Sequence, residues 1–160
     1  MDINGDVSIT GASASSCINW DFTIAKFSPN GIFIIDVRSS LLGVGFDQPL
    51  AYKKDAAGNI YITGRSSANG INYDIRTIKL NASYILQWSK VSDFNGNEDV
   101  VIDVDAAGNV YIGGYVTKSN NIKEMFTTKC DASGTEIWQH RQAGADAEIL
   151  LCNGFKKIIL

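Results

Sequence analysis

Residues 105–114, DAAGNVYIGG, repeat residues 55–64, DAAGNIYITG, almost letter for letter, and a looser copy, GDVSITG, begins at Gly5. The glycines Gly5, Gly58 and Gly108 are therefore 53 and 50 residues apart. A fixed period of this size indicates a repeat architecture, and periods of ~40–50 residues are typical of β-propeller blades. This repeat is the feature of the chain that predicts its fold.

The register of the repeat extends well beyond the glycines. Each unit has an acidic residue at one place, a lysine at a second and a large apolar residue at a third: Asp21, Asp74 and Glu124; Lys26, Lys79 and Lys129; Ile35, Trp88 and Trp138. Equivalent sites in successive blades face different directions around an axis, so we interpret the lysines as structural. Trp88 and Trp138 are interpreted as packing between neighbouring units.

Each unit predicts four short strands joined by tight turns. In the third unit the strands cover residues 99–104, 110–114, 124–130 and 135–141, which are rich in Val, Ile, Tyr, Phe and Thr. Asp105 in the first turn can accept backbone N–H groups, and Gly108 can adopt a positive φ. The second turn contains Gly31 or Gly134, but the middle unit has Tyr84 there, which predicts a longer or strained turn. No stretch keeps a helical period.

The apolar pattern favours stacked sheets over a single sandwich. Residues 22–27, FTIAKF, and 32–35, IFII, are apolar on both faces, as in sheets that are covered on both sides. We therefore predict an all-β fold, a β-propeller-type repeat of four-stranded antiparallel blades. The chain holds about three blades, whereas closed propellers usually have 4–8, so the predicted ring is incomplete.

The run DAAGN(I/V)YI(T/G)G, the Ser/Asn-rich loop after it, the Asp-x-x-x-x-Lys spacing, the x-x-Gly turn and the following Trp resemble the bacterial SBBP-type β-propeller repeat. The resemblance covers residues 2–141 and is closest over residues 55–116. It departs in the first unit, which has Ser8 and Ile35 in place of Tyr and Trp. The resemblance implies part of a large bacterial surface or secreted protein, extracellular or at the cell surface, and it implies no single reaction.

The chain is expected to form one repeat domain over residues 1–160. Its units are approximately 2–54, 55–104 and 105–144, followed by an irregular tail over 145–160. Three states of such a partial ring are considered: a fragment of a longer parent, a ring completed by self-association, and an open or unusual stack. The first ten residues have neither a basic nor an apolar region, so no signal peptide is expected in this chain.

Charge and composition exclude several partners. The net charge is −3, and lysines and acids are interspersed without a basic patch, which argues against nucleic acid and anionic membrane. No apolar run reaches the ~18 residues of a membrane span. The three cysteines, Cys17, Cys130 and Cys152, form no CxxC pair or even framework, and Cys130 is expected to be a small core residue.

Candidate ligand-binding residues come from the loops of unequal length. The turns DAAGN, SPNG and DASG are short and stereotyped, whereas the loops at the other face are longer and variable, which is where binding residues usually lie. Trp20 and Tyr73 occupy equivalent places in this long-loop face, beside Asn19 and Asn72. Aromatic rings with neighbouring amides suit sugar or peptide contacts. The alternative is that the rings cover the sheet edge and the amides cap turns.

A metal site is a further, weaker hypothesis. The loop with Asp93, Asn95, Asn97 and Asp99 offers oxygen ligands that suit calcium, although it lacks the full calcium-loop spacing. Asp103, Asp105 and Asn109 offer a second set, but the middle unit has Lys53 in place of Asp103. No other cofactor is predicted.

The sequence contains no recognisable catalytic set. Its single histidine, His140, lies at the end of a predicted outer strand without Ser and Asp partners at a known spacing. We therefore predict a non-catalytic module that binds a protein or a cell-surface glycan through the long-loop face, or serves as a scaffold. The alternative is the partial propeller of a lyase, hydrolase or quinone-dependent dehydrogenase whose site needs blades outside this chain.

Overall fold

The computed structural model describes residues 4–16, 19–39, 45–68, 70–71, 73–94, 97–118 and 121–143. Within these ranges it has eleven β-strands and no helix, so the all-β prediction is confirmed and no membrane-spanning helix is found there. The strands form three antiparallel meanders, named here the first, second and third meander.

The first meander contains β1 (Val7–Ser16), β2 (Asn19–Phe27) and β3 (Phe33–Ser39), with β2 in the centre. The second contains β4 (Phe46–Lys54), β5 (Ile60–Ser67), β6 (Asp74–Leu80) and β7 (Leu86–Ser92) in chain order. The third contains β8 (Asn97–Val104), β9 (Val110–Thr117), β10 (Lys123–Cys130) and β11 (Glu136–Ala143). Each of the last two meanders begins one strand before its DAAGN turn.

The meanders do not close on themselves. A single parallel bridge between Trp20 and Phe46 joins the first two into one seven-stranded sheet, and the third meander is a separate four-stranded sheet. In the described residues the first meander has three strands, whereas the second and third have four.

The tight turns have the predicted geometry. Asp105 Oδ1 accepts the backbone N–H groups of Ala107 and Asn109 at 3.0 and 2.9 Å, and Gly108 has a φ of 81°. Tyr84, at the place of the second-turn glycines, has a φ of 62°, which is strained for a residue with a side chain. The turn keeps its length, so the alternative of strain is the one that occurs.

Two apolar cores lie between the meanders. The first includes Phe22 and Ile24 of β2 and, from the second meander, Ile60, Ile62 and Ile78. The second core joins the opposite face of the second meander to the third, and it contains Tyr61, Ile75, Phe94, Val100, Ile102, Val110, Ile112, Val116, Phe126 and Cys130. Each face of the second meander packs against another meander, and this is why both of its faces are apolar.

The burial predicted for Cys130 is confirmed, whereas the burial predicted for residues 32–35 is not. Cys130 is buried in the second core, as predicted for a small apolar residue. Residues 32–35 are exposed, so the expectation that their apolar run is covered on both faces is wrong in this chain. The reason is that β3 is the edge strand of its meander: Leu86, Gln87 and Val91 of the equivalent edge strand β7 are likewise exposed, although the second meander has a neighbour on each face.

Candidate binding cleft

A cleft of about 230 Å³ lies between the first and second meanders. We call it the Trp20–Tyr73 cleft, because these two rings form its aromatic walls. Its lining is completed by a small residue of β1 and three consecutive residues of β4: Ala12, Phe46, Asp47 and Gln48. The structure thus brings together two of the four aromatic and amide residues that the sequence singled out.

The cleft is open because β1 has a small side chain at this place. Ala12 follows Gly11 in the repeat register, where the second unit has Arg65 after Gly64 and the third has Tyr115 after Gly114. An alanine side chain leaves empty the space that arginine or tyrosine would fill. Sequence comparison of the three units alone could have shown this difference.

Trp20 is held at the entrance by the backbone of the linker before β4. The backbone N–H of Trp20 donates to the carbonyl of Gly45 at 2.8 Å, and the backbone N–H of Gly45 donates to Asn19 Oδ1 at 3.2 Å. The indole remains 43% exposed. Asn19 therefore positions the linker that carries Phe46, and it is not among the lining residues. Asn72 lies outside the described residues.

The opposite wall is fixed by a close approach of the β5–β6 loop to Phe46. Gly70 has a φ of 73°, and a Cβ at this position would be 2.9 Å from the Phe46 ring. Glycine is therefore needed twice, for its left-handed backbone and for the contact with the ring. Gly70 thus lies on the ring of Phe46, and Tyr73, three residues later, also lines the cleft.

Asp47 is the charged group of the cleft. It is buried, its side chain is hydrogen-bonded to Ser66, and the Arg76 Nε atom lies 3.8 Å from Asp47 Oδ1. Burial raises the pKa of the Asp47 carboxyl above its usual range, while Ser66 and Arg76 act in the opposite direction. Arg76 is itself anchored, because its Nε donates to Ser66 Oγ at 2.9 Å. Ser66 and Arg76 thus hold the Asp47 carboxyl in place in the lining of the cleft.

A second buried carboxyl lies close to Asp47. Asp21 belongs to β2, directly after Trp20, and its Oδ2 atom is buried without a hydrogen-bond partner. The negative charge of Asp21 contributes to raising the pKa of Asp47. A buried acceptor without a donor is costly, by about 1–3 kcal/mol. Asp21 is not among the residues that line the cleft, so its effect there is through its charge on Asp47.

The metal hypothesis receives no support from the described residues. The Asp93 carboxyl is hydrogen-bonded to Asp74. Burial raises the pKa of Asp74, and the neighbouring Asp93 carboxyl raises it further. Asn95 and the side chains of Asn97 and Asp99 lie outside the described residues, and no group of three ligating side chains is found within them.

The second oxygen set is used for the fold. Asp103 Oδ1 forms an ion pair with Lys53 Nζ at 2.6 Å. Asp105 accepts hydrogen bonds from its own turn and from the Tyr111 hydroxyl at 3.1 Å. The turn and the ion pair therefore account for both carboxyls without a cation.

The repeated lysines make intramolecular contacts. Lys79 and Lys129 each lie over a tyrosine ring of the neighbouring strand, Tyr61 and Tyr111, at 5.2 Å from the ring centre. Lys26 Nζ forms an ion pair with Asp6 at 2.6 Å. These contacts agree with a structural role. His140 lies exposed on β11.

Sequence reasoning missed Asp47, Gln48 and Phe46. They lie at the start of β4, directly after the linker. No residues repeated between the units mark these positions. Their importance comes from the parallel bridge that places β4 beside Trp20. No sequence signal indicated that bridge.

No family model matches the sequence, and no curated protein does either. A solved structure, a fucose lectin from Kordia zhangzhouensis in complex with methyl-fucoside, is similar to this chain with a TM-score of 0.50. The two are 15% identical, and the match covers 92% of this chain and 96% of that one. At this identity the likeness concerns the fold alone: over most of its length the chain shares its arrangement of strands with a lectin.

Proposed function

We propose that the chain is a non-catalytic, propeller-type repeat module that binds a glycan in the Trp20–Tyr73 cleft. The observation that carries the proposal is the composition of this cleft: two aromatic rings and Phe46 around a rigid carboxylate and an amide, Asp47 and Gln48. Aromatic faces pack on the C–H faces of sugar rings, while carboxylate and amide oxygens accept bonds from their hydroxyl groups.

The lining also favours binding over chemistry. Glycoside hydrolysis uses two carboxyl groups that both flank the bond, about 5–9.5 Å apart. Asp47 is the one carboxyl among the described lining residues, since Asp21 is buried behind it. The structural likeness to a fucose lectin is consistent with glycan binding and suggests methyl-fucoside as the first probe.

The SBBP-type family and a surface or secreted setting belong to the same proposal. They rest on the repeat residues and on the three successive antiparallel meanders. In this setting the partner is a neutral cell-surface glycan, met through the long-loop face.

The test is a glycan array followed by calorimetry with methyl-fucoside and with any glycan that scores. We expect Trp20→Ala and Tyr73→Ala each to weaken binding about tenfold or more, as the loss of a buried aromatic anchor does. Asp47→Asn is expected to weaken binding of sugars that donate a hydroxyl to it.

Trp138→Ala is the matched control, because Trp138 is 44% exposed and lies on β11, outside the cleft. Its affinity per chain should equal that of the unmodified protein. Glycan binding that survives Trp20→Ala and Tyr73→Ala would place the site elsewhere. No binding to any glycan on the array would refute the proposal.

A further inference from the structure

The contact between the second and third meanders has a simple chemical basis. The Trp88 Nε1–H and the Lys79 Nζ of the second meander both donate to the carbonyl of Ala132, at 3.1 and 3.3 Å. Ala132 belongs to the turn between β10 and β11, residues 131–134. The turn lies on the Trp88 indole, and a Cβ at Gly134 would be 2.8 Å from that ring. A tryptophan at this place therefore requires a glycine in the turn that it receives.

The contact between the first and second meanders follows the complementary rule. The first unit has Ile35 in place of Trp88, and the second unit has Tyr84 in place of Gly134. Tyr84 packs against the core that contains Phe22 and Ile24. In the sequence, a tyrosine turn thus accompanies an isoleucine on the preceding meander, whereas a glycine turn accompanies a tryptophan.

The third meander presents a further copy of the tryptophan arrangement at its outer face. Lys129 lies 5.2 Å from the centre of the Tyr111 ring, the same distance as Lys79 from Tyr61. Trp138 follows at the place of Trp88 and is 44% exposed. Met125 is 41% exposed, whereas its counterpart Ile75 is 1% exposed in the second core. This face has the residues of a buried contact surface.

The first meander presents the matching turn. Residues 28–31, SPNG, form a turn closed like residues 131–134, with Gly31 N–H donating to Ser28 O at 2.9 Å and a Gly31 φ of 77°. Nothing lies within 4 Å of a Cβ at Gly31, so its outer side is open. Ile9 of β1, on the same outer face, is 54% exposed, whereas its counterpart Ile62 is 1% exposed.

We propose that these two end faces bind each other between copies of this chain. In this head-to-tail contact the turn 28–31 of one copy lies on Trp138 of the next copy. Lys129 of that second copy donates to a backbone carbonyl of the turn. The turn on Trp88 requires a glycine, so we expect the same of a turn on Trp138, and Gly31 provides it. The contact continues the stacking that joins the meanders inside the chain. It is heterologous, so it closes into a ring or propagates. The inference is independent of the proposed function.

The test is the solution mass of the chain, by light scattering behind a sizing column from micromolar to millimolar concentration. We expect a multiple of 17.3 kDa that grows with concentration until the ring is closed. Trp138→Ala should weaken association about tenfold or more, as for a central tryptophan in an interface. Trp20→Ala, with a similarly exposed indole in the cleft, should leave the mass unchanged. Far-UV circular dichroism and thermal unfolding establish that each variant is folded.

A size exchange tests the contact itself. Trp138→Ile alone and Gly31→Tyr alone should each weaken association, whereas the double variant should recover part of it, because it reproduces the Ile35 and Tyr84 match. Tyr84 shows that a tyrosine can adopt the left-handed backbone of this turn, with a φ of 62°. A monomer at every concentration, an association unaffected by Trp138→Ala, or a double variant no tighter than the weaker single variant would each overturn the proposal.

Discussion

Replacement of Gly134 by alanine should measure the contact between the second and third meanders. The backbone at Gly134 has a φ of 85°, and the new Cβ would be 2.8 to 3.1 Å from three atoms of the Trp88 ring. A side chain in the left-handed region costs about 1–2 kcal/mol. Overpacking against the ring adds about 1–3 kcal/mol. We therefore expect Gly134→Ala to lower the free energy of unfolding by about 2–5 kcal/mol.

Gly31→Ala is the matched control for this substitution. Its φ of 77° is similar, but nothing lies within 4 Å of the added Cβ. It should therefore cost only the backbone part, about 1–2 kcal/mol. The difference between the two variants, about 1–3 kcal/mol, is the part that comes from Trp88. For a chain of this size, each kcal/mol corresponds to about 2–4 °C in the melting temperature.

Both variants should be made in a Trp138→Ala background and measured at low concentration, so that no contact between copies contributes. Urea and thermal unfolding followed by far-UV circular dichroism give the two free energies. Adding Trp88→Leu to Gly134→Ala should remove most of the difference, because the smaller side chain leaves room for the Cβ. If Gly134→Ala and Gly31→Ala cost the same, the turn does not lie on Trp88 as described.

Three further outcomes are expected. Asp55→Ala should lower the free energy of unfolding, measured in urea, by about 1–3 kcal/mol more than Asp105→Ala does. The reason is that Asp55→Ala leaves the hydroxyl of the buried Tyr61 without its acceptor, whereas Tyr111, the counterpart beside Asp105, is less buried. Burial raises the pKa of Asp47 above 3.8, so the native state binds a proton at this carboxyl more readily than the unfolded chain does. The free energy of unfolding should therefore fall as the pH rises from about 3.8 through the pKa of the folded state. Asp47→Asn should remove that decline, and an unchanged pH profile of urea unfolding would contradict it. Burial likewise raises the pKa of the Cys130 thiol, so peptide mapping after alkylation should find Cys130 unmodified in the native protein and modified in urea.

Local features of this fold could be predicted because they depend on neighbours in the sequence. The strands at 110–114 and 124–130 lie inside β9 and β10, and the Asp105 and Gly108 turn has the predicted hydrogen bonds and backbone. A turn of five residues is defined by its own side chains and by which residue can adopt a positive φ. The same local reasoning predicted a longer or strained turn at Tyr84, and the strained backbone is the alternative that occurs.

Two of the six residues that line the candidate cleft could also be predicted. Equivalent positions in the repeat indicated Trp20 and Tyr73, and both line the cleft. The loop oxygens at Asp93 were grouped by proximity in sequence, but the structure pairs the Asp93 carboxyl with Asp74 instead. Proximity in the sequence could not show this pairing, because Asp74 belongs to a different strand, β6, of the folded chain.

The sequence by itself determined the repeat, the strand and turn order, and the positions where glycine or aspartate is needed, because these depend on periods of two and on turns of a few residues. Only the tertiary structure decided that Asp47 lies beside Trp20, that Ala12 leaves a cleft open, and that residues 32–35 and Trp138 are exposed. These features depend on which meander packs on which, and one parallel bridge and two apolar cores join the meanders. Such contacts join residues far apart in the chain, where no period or spacing records them.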